Sequence, residues 1–375
     1  MYVLFLIDTL KTGGAEKSLL DILSRLKKYK PVVCYIYPGD QLKEEFERRN
    51  IPVVSLNVQG KKNFGEAIRR LMPVIEKYQP VLIHATLYRS EIISRRLKTI
   101  TKIPLVNSFV NNRYTAERYG QIGLPGKLAL LYYQLCDRIT AGKVDLFFSN
   151  SRSIMINNAG ALKVPESKVR IIPRGRDINK FLPSKSRGDI DRGNKIKKIL
   201  TVGRLLSSKG HADLIKAFAK LHNDFPDLTL NIAGEGPNRM NLQSLISSLH
   251  LEKVVRLLGN RNDIPELLSD ADLFVFPSHY EGLPGALIEA MMAGKIIIAS
   301  DIAENLECVN RETAVIYKKG DVDELVERLR KVVSAPNEFY SYGQAAREYA
   351  REHFHIEAVA DKYEQIYDEI LATKR

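Results

Sequence analysis

Short apolar runs alternate along this chain with longer segments in which apolar residues recur every three or four positions. In the first half, runs of strand length cover residues 2–8, 32–37, 53–56, 81–84, 105–109 and 146–149. In the second half they cover residues 198–202, 229–233, 254–257, 273–276 and 296–300. Helical periodicity fills most of the intervals, and strands that alternate with helices indicate parallel sheets with helices on both faces. The pattern therefore predicts an α/β protein with two doubly wound sheets.

The division between the two halves is predicted from length and local composition. At 375 residues with 45% hydrophobic content, the chain can bury two ordinary cores. Pro, Gly and charged residues collect in residues 173–194, a composition typical of a linker. We therefore expect a first domain over residues 1–175 and a second over residues 190–354.

Two glutamates flank a Gly/Pro turn in the second half. Glu281 lies in the loop after the apolar run 273–276, and Glu289 lies eight positions later in the next predicted helix. Carboxylates accept hydrogen bonds from sugar hydroxyls, and the free N–H groups at a helix start bind anions. The segment is therefore a candidate sugar-nucleotide site, although a single Glu is usually a solvated charge.

Two cations follow the predicted strand 198–202. Arg204 and Lys209 lie five positions apart, before a predicted amphipathic helix. Arginine offers a planar fork to phosphate oxygens and lysine a point charge, so together they could neutralise a departing diphosphate. The alternative interpretation is again a pair of solvated surface charges.

Five motifs together carry a resemblance to a known family. They are GGAE at 13–16, GR and KG at 203–210, IAGEGP at 232–237, LGN at 258–260, and E-x7-E at 281–289. With these motifs, nearly the whole chain resembles the retaining glycosyltransferases of family 4, which use sugar nucleotides on a two-domain GT-B scaffold. The resemblance implies two Rossmann-like domains that face a central cleft. It also implies that the last helix, about residues 355–375, packs back onto the first domain.

The resemblance assigns roles to individual residues. Arg204 and Lys209 would bind the donor diphosphate, Glu281 the transferred sugar and Glu289 the ribose, and the first three would be catalytic. Further donor contacts would come from Gly13, Gly14, Gly203, Gly234, Asn260, Arg261, Gly282, Leu283, Gly285 and Ala286. Transfer with retained configuration would need no protein base, because the departing phosphate can take the acceptor proton. No metal ion or other cofactor is expected.

The expected acceptor side departs from the family pattern. Many members place a His after the strand that matches residues 105–109, whereas this chain reads NSFVNNRY, with Val110 and Asn111 there. The expected acceptor contacts are Thr86, Arg89, Asn111 and Arg113. His84 is expected to pack at a strand end.

The net charge of +13 is unevenly distributed. Residues 1–175 hold 29 Lys and Arg against 14 Asp and Glu, a net +15, and the remaining residues carry −2. Such asymmetry indicates an anionic partner, either a membrane surface or nucleic acid. Residues 114–143 mix basic side chains with the apolar stretch LALLYYQLC, which favours an interfacial helix, although a core helix with a basic rim fits equally well. No nucleic-acid-binding motif is present in the sequence.

Location and metal chemistry are predicted from weaker signals. Three widely spaced cysteines, no basic leader and no apolar stretch of about 18 residues lead us to expect a cytoplasmic protein at the inner membrane face.

The strings DID at 189–191 and DVD at 321–323 match a metal-binding DxD pattern. We expect the first in the linker and the second at a helix N-cap, where Asp is favoured.

The expected reaction moves a hexose or N-acetylhexosamine from a nucleoside-diphosphate sugar, UDP by family frequency, to a lipid-linked or polysaccharide acceptor. Two alternatives stay open: a sugar-nucleotide epimerase of the same fold, and a non-catalytic nucleotide-binding scaffold at a membrane. A dinucleotide oxidoreductase is disfavoured, because no G-x-G-x-x-G follows the first predicted strand.

Overall fold

The computed structural model describes residues 1–60, 63–120, 122–181 and 195–373, which form two compact units. Unit 1 comprises Met1–Gly175 together with Ile356–Arg375, and unit 2 comprises Arg176–His355. Much of the predicted linker, including residue 190 where the second domain was expected to start, lies outside the described residues.

Unit 1 contains a seven-stranded parallel sheet in the order β3-β2-β1-β4-β5-β6-β7. The strands are β1 (Tyr2–Ile7), β2 (Lys30–Tyr35), β3 (Val53–Ser55), β4 (Leu82–Thr86), β5 (Leu105–Phe109), β6 (Leu146–Ser149) and β7 (Val169–Ile171). The helices are α1 (Gly14–Leu23), α2 (Lys43–Arg48), α3 (Phe64–Tyr78), α4 (Tyr88–Thr101), α5 (Ala116–Gly120), α6 (Leu124–Ala141) and α7 (Arg152–Leu162), with α15 (Ile356–Ala372) from the chain end.

Unit 2 contains a six-stranded parallel sheet in the order β10-β9-β8-β11-β12-β13. Its strands are β8 (Lys198–Val202), β9 (Thr229–Ala233), β10 (Val255–Gly259), β11 (Leu273–Phe276), β12 (Ile296–Ser300) and β13 (Val315–Tyr317). Its helices are α8 (His211–His222), α9 (Arg239–Ser248), α10 (Ile264–Asp270), α11 (Gly285–Met292), α12 (Ala303–Leu306), α13 (Val322–Ser334) and α14 (Tyr340–Phe354). The predicted fold class, two doubly wound parallel sheets, is confirmed.

Both sheets are covered on two faces, which explains the continuous apolar strand sequences. In β1, Leu4 and Leu6 belong to one core, and Val3 and Phe5 belong to the core on the opposite face. The second core also receives apolar side chains of α15. Glu364 of α15 accepts hydrogen bonds from the backbone N–H groups of residues 27–29, which fixes this helix to unit 1.

Two local features differ from the sequence expectation. Residues 114–143 hold two helices, α5 and α6, because Gly123 and Pro125 start a new helix after the first has ended. The edge strands β7 and β13 were not predicted, since each has only three residues and no long apolar run.

Candidate functional site

The strand order of unit 2 reverses between β8 and β11, which lie side by side in the sheet. In open α/β sheets, ligands bind at such a switch point, beyond the carboxyl ends of the strands. The loop after β8 carries Arg204 and Lys209, and the loop after β11 carries Glu281. The topology therefore places these two predicted motifs at one edge of one sheet.

Lys209 and Glu281 are in direct contact at this edge. The Lys209 Nζ lies 2.7 Å from Glu281 Oε1, and the two side chains are only 18% and 12% exposed. The hydroxyl of Ser278 donates to the same carboxylate oxygen at 2.7 Å, and Lys209 Nζ donates to the Tyr280 carbonyl at 3.2 Å. Two of the three predicted catalytic residues therefore share one hydrogen-bonded cluster.

Gly210 allows the two loops to approach. Its φ is +67°, and a Cβ at this position would overlap the carbonyl oxygen of Pro277. Only glycine adopts this conformation and leaves that space without strain. Lys209, which precedes it in a short 3-10 turn (Ser207–Lys209), is thereby held against the loop after β11.

The remaining predicted donor residues of unit 2 differ in their exposure. Arg204 is exposed, and the neighbouring Gly203 donates its N–H to the Ala233 carbonyl at 2.9 Å. Gly234 donates to the Gly259 carbonyl at 2.8 Å. Asn260 and Arg261 are exposed, and the Arg261 guanidinium forms a salt bridge with Asp263. Leu283 is buried and Gly282 half-buried in the loop before α11, while Gly285 and Ala286 are half-buried in its first turn.

Glu289 has a partner that the sequence did not reveal. The Arg176 Nε donates to Glu289 Oε1 at 2.7 Å, with the side chains 15% and 19% exposed. The guanidinium lies directly over Gly285, where a Cβ would overlap an Arg176 nitrogen. Since 113 positions separate the pair in sequence, no local signal could have identified Arg176.

Two histidines near the cluster differ in their burial and in their contacts. The His279 ring lies 2.7 Å from a carboxylate oxygen of Asp213 in α8, and its backbone N–H donates to the Ser208 carbonyl. His211 is buried at the start of α8, and burial, with a smaller contribution from Lys209, lowers its pKa to about 4. His211 is therefore neutral at physiological pH, and His279 adds a further tie between the two loops.

In unit 1, the predicted GGAE loop follows β1. Gly13 is the N-cap of α1, with Gly14 as the first helical residue. The Glu16 carboxylate folds back toward Gly13 in the first turn, and its burial raises its pKa. A terminal guanidinium nitrogen of Arg174 lies near Gly14.

The four predicted acceptor residues do not all meet. Arg89, Asn111 and Arg113 line a groove of about 860 Å³ walled by α4 and α6. Thr86 is buried at the end of β4 and lines a separate pocket of about 20 Å³. His84 is buried and hydrogen-bonded to Tyr367 and Ser108, which confirms its predicted packing role, but it lies in the middle of β4 and not at the strand end.

Arg113 is committed to a buried ion-pair network. Its two terminal nitrogens donate to the two carboxylate oxygens of Glu91 at 2.6 and 2.8 Å. Asp137 accepts from Arg113 at 3.3 Å, from the Tyr114 hydroxyl at 2.9 Å, and from the fully buried Arg95. The Arg113 guanidinium thus supports the groove wall through internal bonds as well as lining it.

The two DxD strings have different outcomes. Residues 189–191 lie outside the described residues. Asp321 is the N-cap of α13 and accepts a hydrogen bond from the Glu324 N–H at 3.0 Å, which confirms the predicted capping role.

Over the described part of the chain, no helix combines the length and the apolar character that a membrane span requires.

Two family models match the chain on successive segments. The model for Glycosyltransferase Family 4 matches residues 12–180, and the model for Glycosyl transferases group 1 matches residues 184–353. Together they extend over nearly the whole sequence.

Curated relatives match more distantly. A UDP-Gal:alpha-D-GlcNAc-diphosphoundecaprenol alpha-1,3-galactosyltransferase of Escherichia coli is 26% identical over 78% of this chain and 76% of its own length. A Campylobacter jejuni enzyme, the N-acetylgalactosamine-N,N'-diacetylbacillosaminyl-diphospho-undecaprenol 4-alpha-N-acetylgalactosaminyltransferase, is 34% identical over 42% of each chain. An uncharacterized Bacillus subtilis glycosyltransferase, YqgM, is 29% identical over 56% of this chain and 57% of its own length.

Solved structures agree on the fold. Anabaena HepE in complex with UDP superposes with a TM-score of 0.85 at 22% identity, covering 98% of this chain and 100% of that one. Sucrose-phosphate synthase from Thermosynechococcus elongatus gives a TM-score of 0.83 at 19% identity, with both chains fully covered.

Proposed function

Since the chain belongs to the family 4 glycosyltransferases of the GT-B fold, we propose that it transfers a hexose or N-acetylhexosamine from a UDP-sugar with retention of anomeric configuration. The acceptor is a lipid-linked or polysaccharide saccharide, in cell-surface polysaccharide or glycolipid biosynthesis. The observation that carries the proposal is the contact between Lys209 and Glu281 at the switch point of unit 2. The names of the Escherichia coli and Campylobacter jejuni relatives support the choice of a lipid-linked acceptor.

Unit 2 holds the donor in this proposal. Arg204 is exposed, and Lys209 lies five positions later in the same loop after β8, so both can contact a diphosphate. Their charges stabilise the nucleoside diphosphate as it departs, without a metal ion or other cofactor. Glu281 accepts from hydroxyls of the transferred sugar, and Glu289 accepts from the ribose hydroxyls. The departing phosphate takes the acceptor proton.

Unit 1 holds the acceptor and meets the anionic inner face of the membrane, with the protein otherwise in the cytoplasm. Helix α6 supports membrane contact, because one face exposes large apolar side chains, namely Leu124, Leu128, Leu131, Tyr132, Leu135 and Ile139. Lys127 and Arg138 are exposed on the same helix. Such a helix is typical of an anionic membrane interface, where its apolar face enters the lipid phase. Nucleic acid offers negative charge but no such apolar phase.

Isothermal titration with UDP, GDP and ADP, with and without magnesium, tests the donor assignment. We expect micromolar, metal-independent binding of UDP that Arg204→Ala abolishes. The matched control is Lys216→Ala, which removes an exposed cation of α8 and should leave binding unchanged. Absence of binding to all three nucleotides would contradict the proposal, whereas binding of UDP without any turnover of UDP-sugars would favour the non-catalytic nucleotide-binding scaffold.

A second experiment separates the two enzymatic alternatives. Incubation with a UDP-sugar, followed by NMR of the anomeric protons, distinguishes hydrolysis or transfer from epimerisation. We expect free UDP with a sugar or glycoside that keeps the donor configuration. Appearance of an epimeric UDP-sugar would identify the epimerase instead.

A further inference from the structure

The groove between α4 and α6 of unit 1 combines cationic and apolar surface. Its described lining includes four arginines, Arg89, Arg96, Arg113 and Arg118, and a single acidic residue, Asp8. The rest of the lining is largely aliphatic and aromatic, contributed by Leu87, Ile92, Leu130, Tyr88, Tyr132, Tyr133 and Ile139. A site with these two components suits a ligand that has an anionic head and an apolar body.

The arginines of the groove differ in how far their charge is already used. Arg113 is bound to Glu91 and Asp137, and Arg89 lies 3.6 Å from Asp8. Arg96 and Arg118 are exposed, and the Arg96 guanidinium lies 5.3 Å from the centre of the Phe64 ring. Stacking leaves the guanidinium edge available for hydrogen bonds to phosphate oxygens. Arg96 and Arg118 are therefore the cations best placed to receive an anion.

The apolar part of the groove continues onto the outer surface of α6. Tyr132 and Ile139 line the groove and are also 64% and 71% exposed. At helical spacing they border the exposed leucines of the same helix, Leu128 at 61% and Leu135 at 54%. One apolar surface therefore runs from inside the groove to the face that we assign to the membrane.

We propose that this groove binds the diphosphate and the first isoprenoid units of a polyprenyl-diphosphate-linked acceptor, with Arg96 and Arg118 on the diphosphate and Tyr132 and Ile139 on the chain. The proposal rests on the function proposed above and names the class of its acceptor. A hydrophobic chain emerging over Leu128 and Leu135 passes directly into the lipid phase. A soluble oligosaccharide has neither a diphosphate to contact Arg96 and Arg118 nor an apolar chain to cover the exposed surface of α6.

Farnesyl diphosphate is the probe, since it carries a diphosphate on a short isoprenoid chain. We expect it to bind the full-length protein, while inorganic pyrophosphate and farnesol each bind at least tenfold more weakly. Arg96→Ala and Arg118→Ala should each weaken farnesyl diphosphate about tenfold, because each removes a charge-assisted contact. Ile139→Glu should weaken farnesyl diphosphate and leave pyrophosphate unchanged. The matched control is Lys30→Ala, which removes an exposed cation at the amino end of β2, the opposite edge of the same sheet.

Several outcomes would overturn the inference. Equal affinity for pyrophosphate would show a simple anion site, and equal affinity for farnesol would show a purely apolar one. Displacement of the probe by phosphatidylglycerol vesicles, but not by uncharged vesicles, would assign the groove to bulk anionic lipid. UDP titration of the same variants separates the acceptor site from the proposed function. If the wild-type protein binds UDP but not farnesyl diphosphate, only the acceptor site is refuted. If the wild-type protein does not bind UDP, the proposed function is refuted.

Discussion

In unit 2 the loops after β8 and β11 are tied together by Lys209 and Glu281, whereas in unit 1 the corresponding strands β1 and β4 lead to a wide groove between helices. The strand order around the switch point is the same in both sheets. In unit 2 the loop after β8 contacts the loop after β11 directly, whereas in unit 1 the groove is lined by Asp8 after β1, by α4 after β4 and by α6, which follows β5. One architecture thus supports a compact polar site and an open amphiphilic one, because function depends on the loops and not on the sheet.

The units also differ in how they use charge, and the largest predicted effect concerns stability. Asp137 is completely buried and accepts from Arg95, Arg113 and Tyr114. Asp137→Ala leaves buried arginine charge without this partner, which should cost about 3–5 kcal/mol of unfolding free energy. Denaturant unfolding measures the loss.

The control for this prediction comes from unit 2. Arg330 and Asp224 form an ion pair at 2.8 Å in which both side chains are about half exposed. Asp224→Ala should cost less than about 1 kcal/mol, because solvent screens exposed pairs. Equal losses in the two variants would contradict the contrast between buried and exposed charge.

The second prediction removes the cation at the switch point of unit 2. Lys209→Ala should lower turnover of the donor by about 10²–10³-fold, since a preorganised charge no longer stabilises the departing diphosphate. Release of UDP from a UDP-sugar measures this loss. Lys216→Ala, in the helix that comes after this turn, should retain wild-type turnover, and an equal loss there would indicate a general effect of charge.

The third prediction concerns the pair of Arg176 and Glu289. If Arg176 holds the carboxylate toward the ribose, Arg176→Ala should weaken UDP binding by about 1–3 kcal/mol, similar to Glu289→Ala. The double variant should show little further loss, because the two residues act together. Wild-type protein should prefer UDP over 2′-deoxy-UDP, and both single variants should lose that preference.

Titration calorimetry with the two nucleotides measures these effects. Arg256→Ala, which removes an exposed cation from β10, is the control. Retained preference for UDP in Arg176→Ala would assign Arg176 to local folding alone.

The smallest prediction concerns a property that the two units share. Burial lowers the pKa of His84 in unit 1 from 6.5 to about 3, and that of His211 in unit 2 to about 4. Below pH 6.5 the unfolded chain takes up protons that the folded chain does not, so stability is lost as the pH falls. Between the unfolded and the folded pKa, each histidine lowers the unfolding free energy by about 1.4 kcal/mol per pH unit.

Unfolding at pH 7.5 and 5.5 tests the effect. His84→Leu should reduce the pH dependence of the unfolding free energy relative to the wild-type protein. An unchanged pH dependence in His84→Leu would contradict the assignment.

Much of the fold could be predicted from sequence because buried parallel strands need continuous apolar runs. The runs at 2–8 and 273–276 became β1 and β11 almost without change. The edge strand β7 escaped prediction because two of its three residues are exposed, so burial imposes no apolar run. The motif loops were identified for a different reason, since five motifs, including the GR and KG pair at 203–210, resemble those of one family.

Pairings across long sequence separations were not predictable. Arg113 and Glu91 lie on different elements, and nothing local in the sequence distinguishes a buried arginine from one that contacts an acceptor. For α6, the sequence was compatible with a core helix and with an interfacial helix, since the apolar periodicity is the same in both. The exposure of residues such as Leu124 and Leu135 argues against a core helix, and the interfacial helix stays a prediction.

The division of labour between the units can be tested most directly by hydrogen–deuterium exchange with two ligands. We expect UDP to slow exchange in residues 203–210 and 277–289 of unit 2, and farnesyl diphosphate to slow exchange in α4 and α6 of unit 1. Protection of the same unit by both ligands, or no protection of residues 203–210 and 277–289 by UDP, would contradict this division.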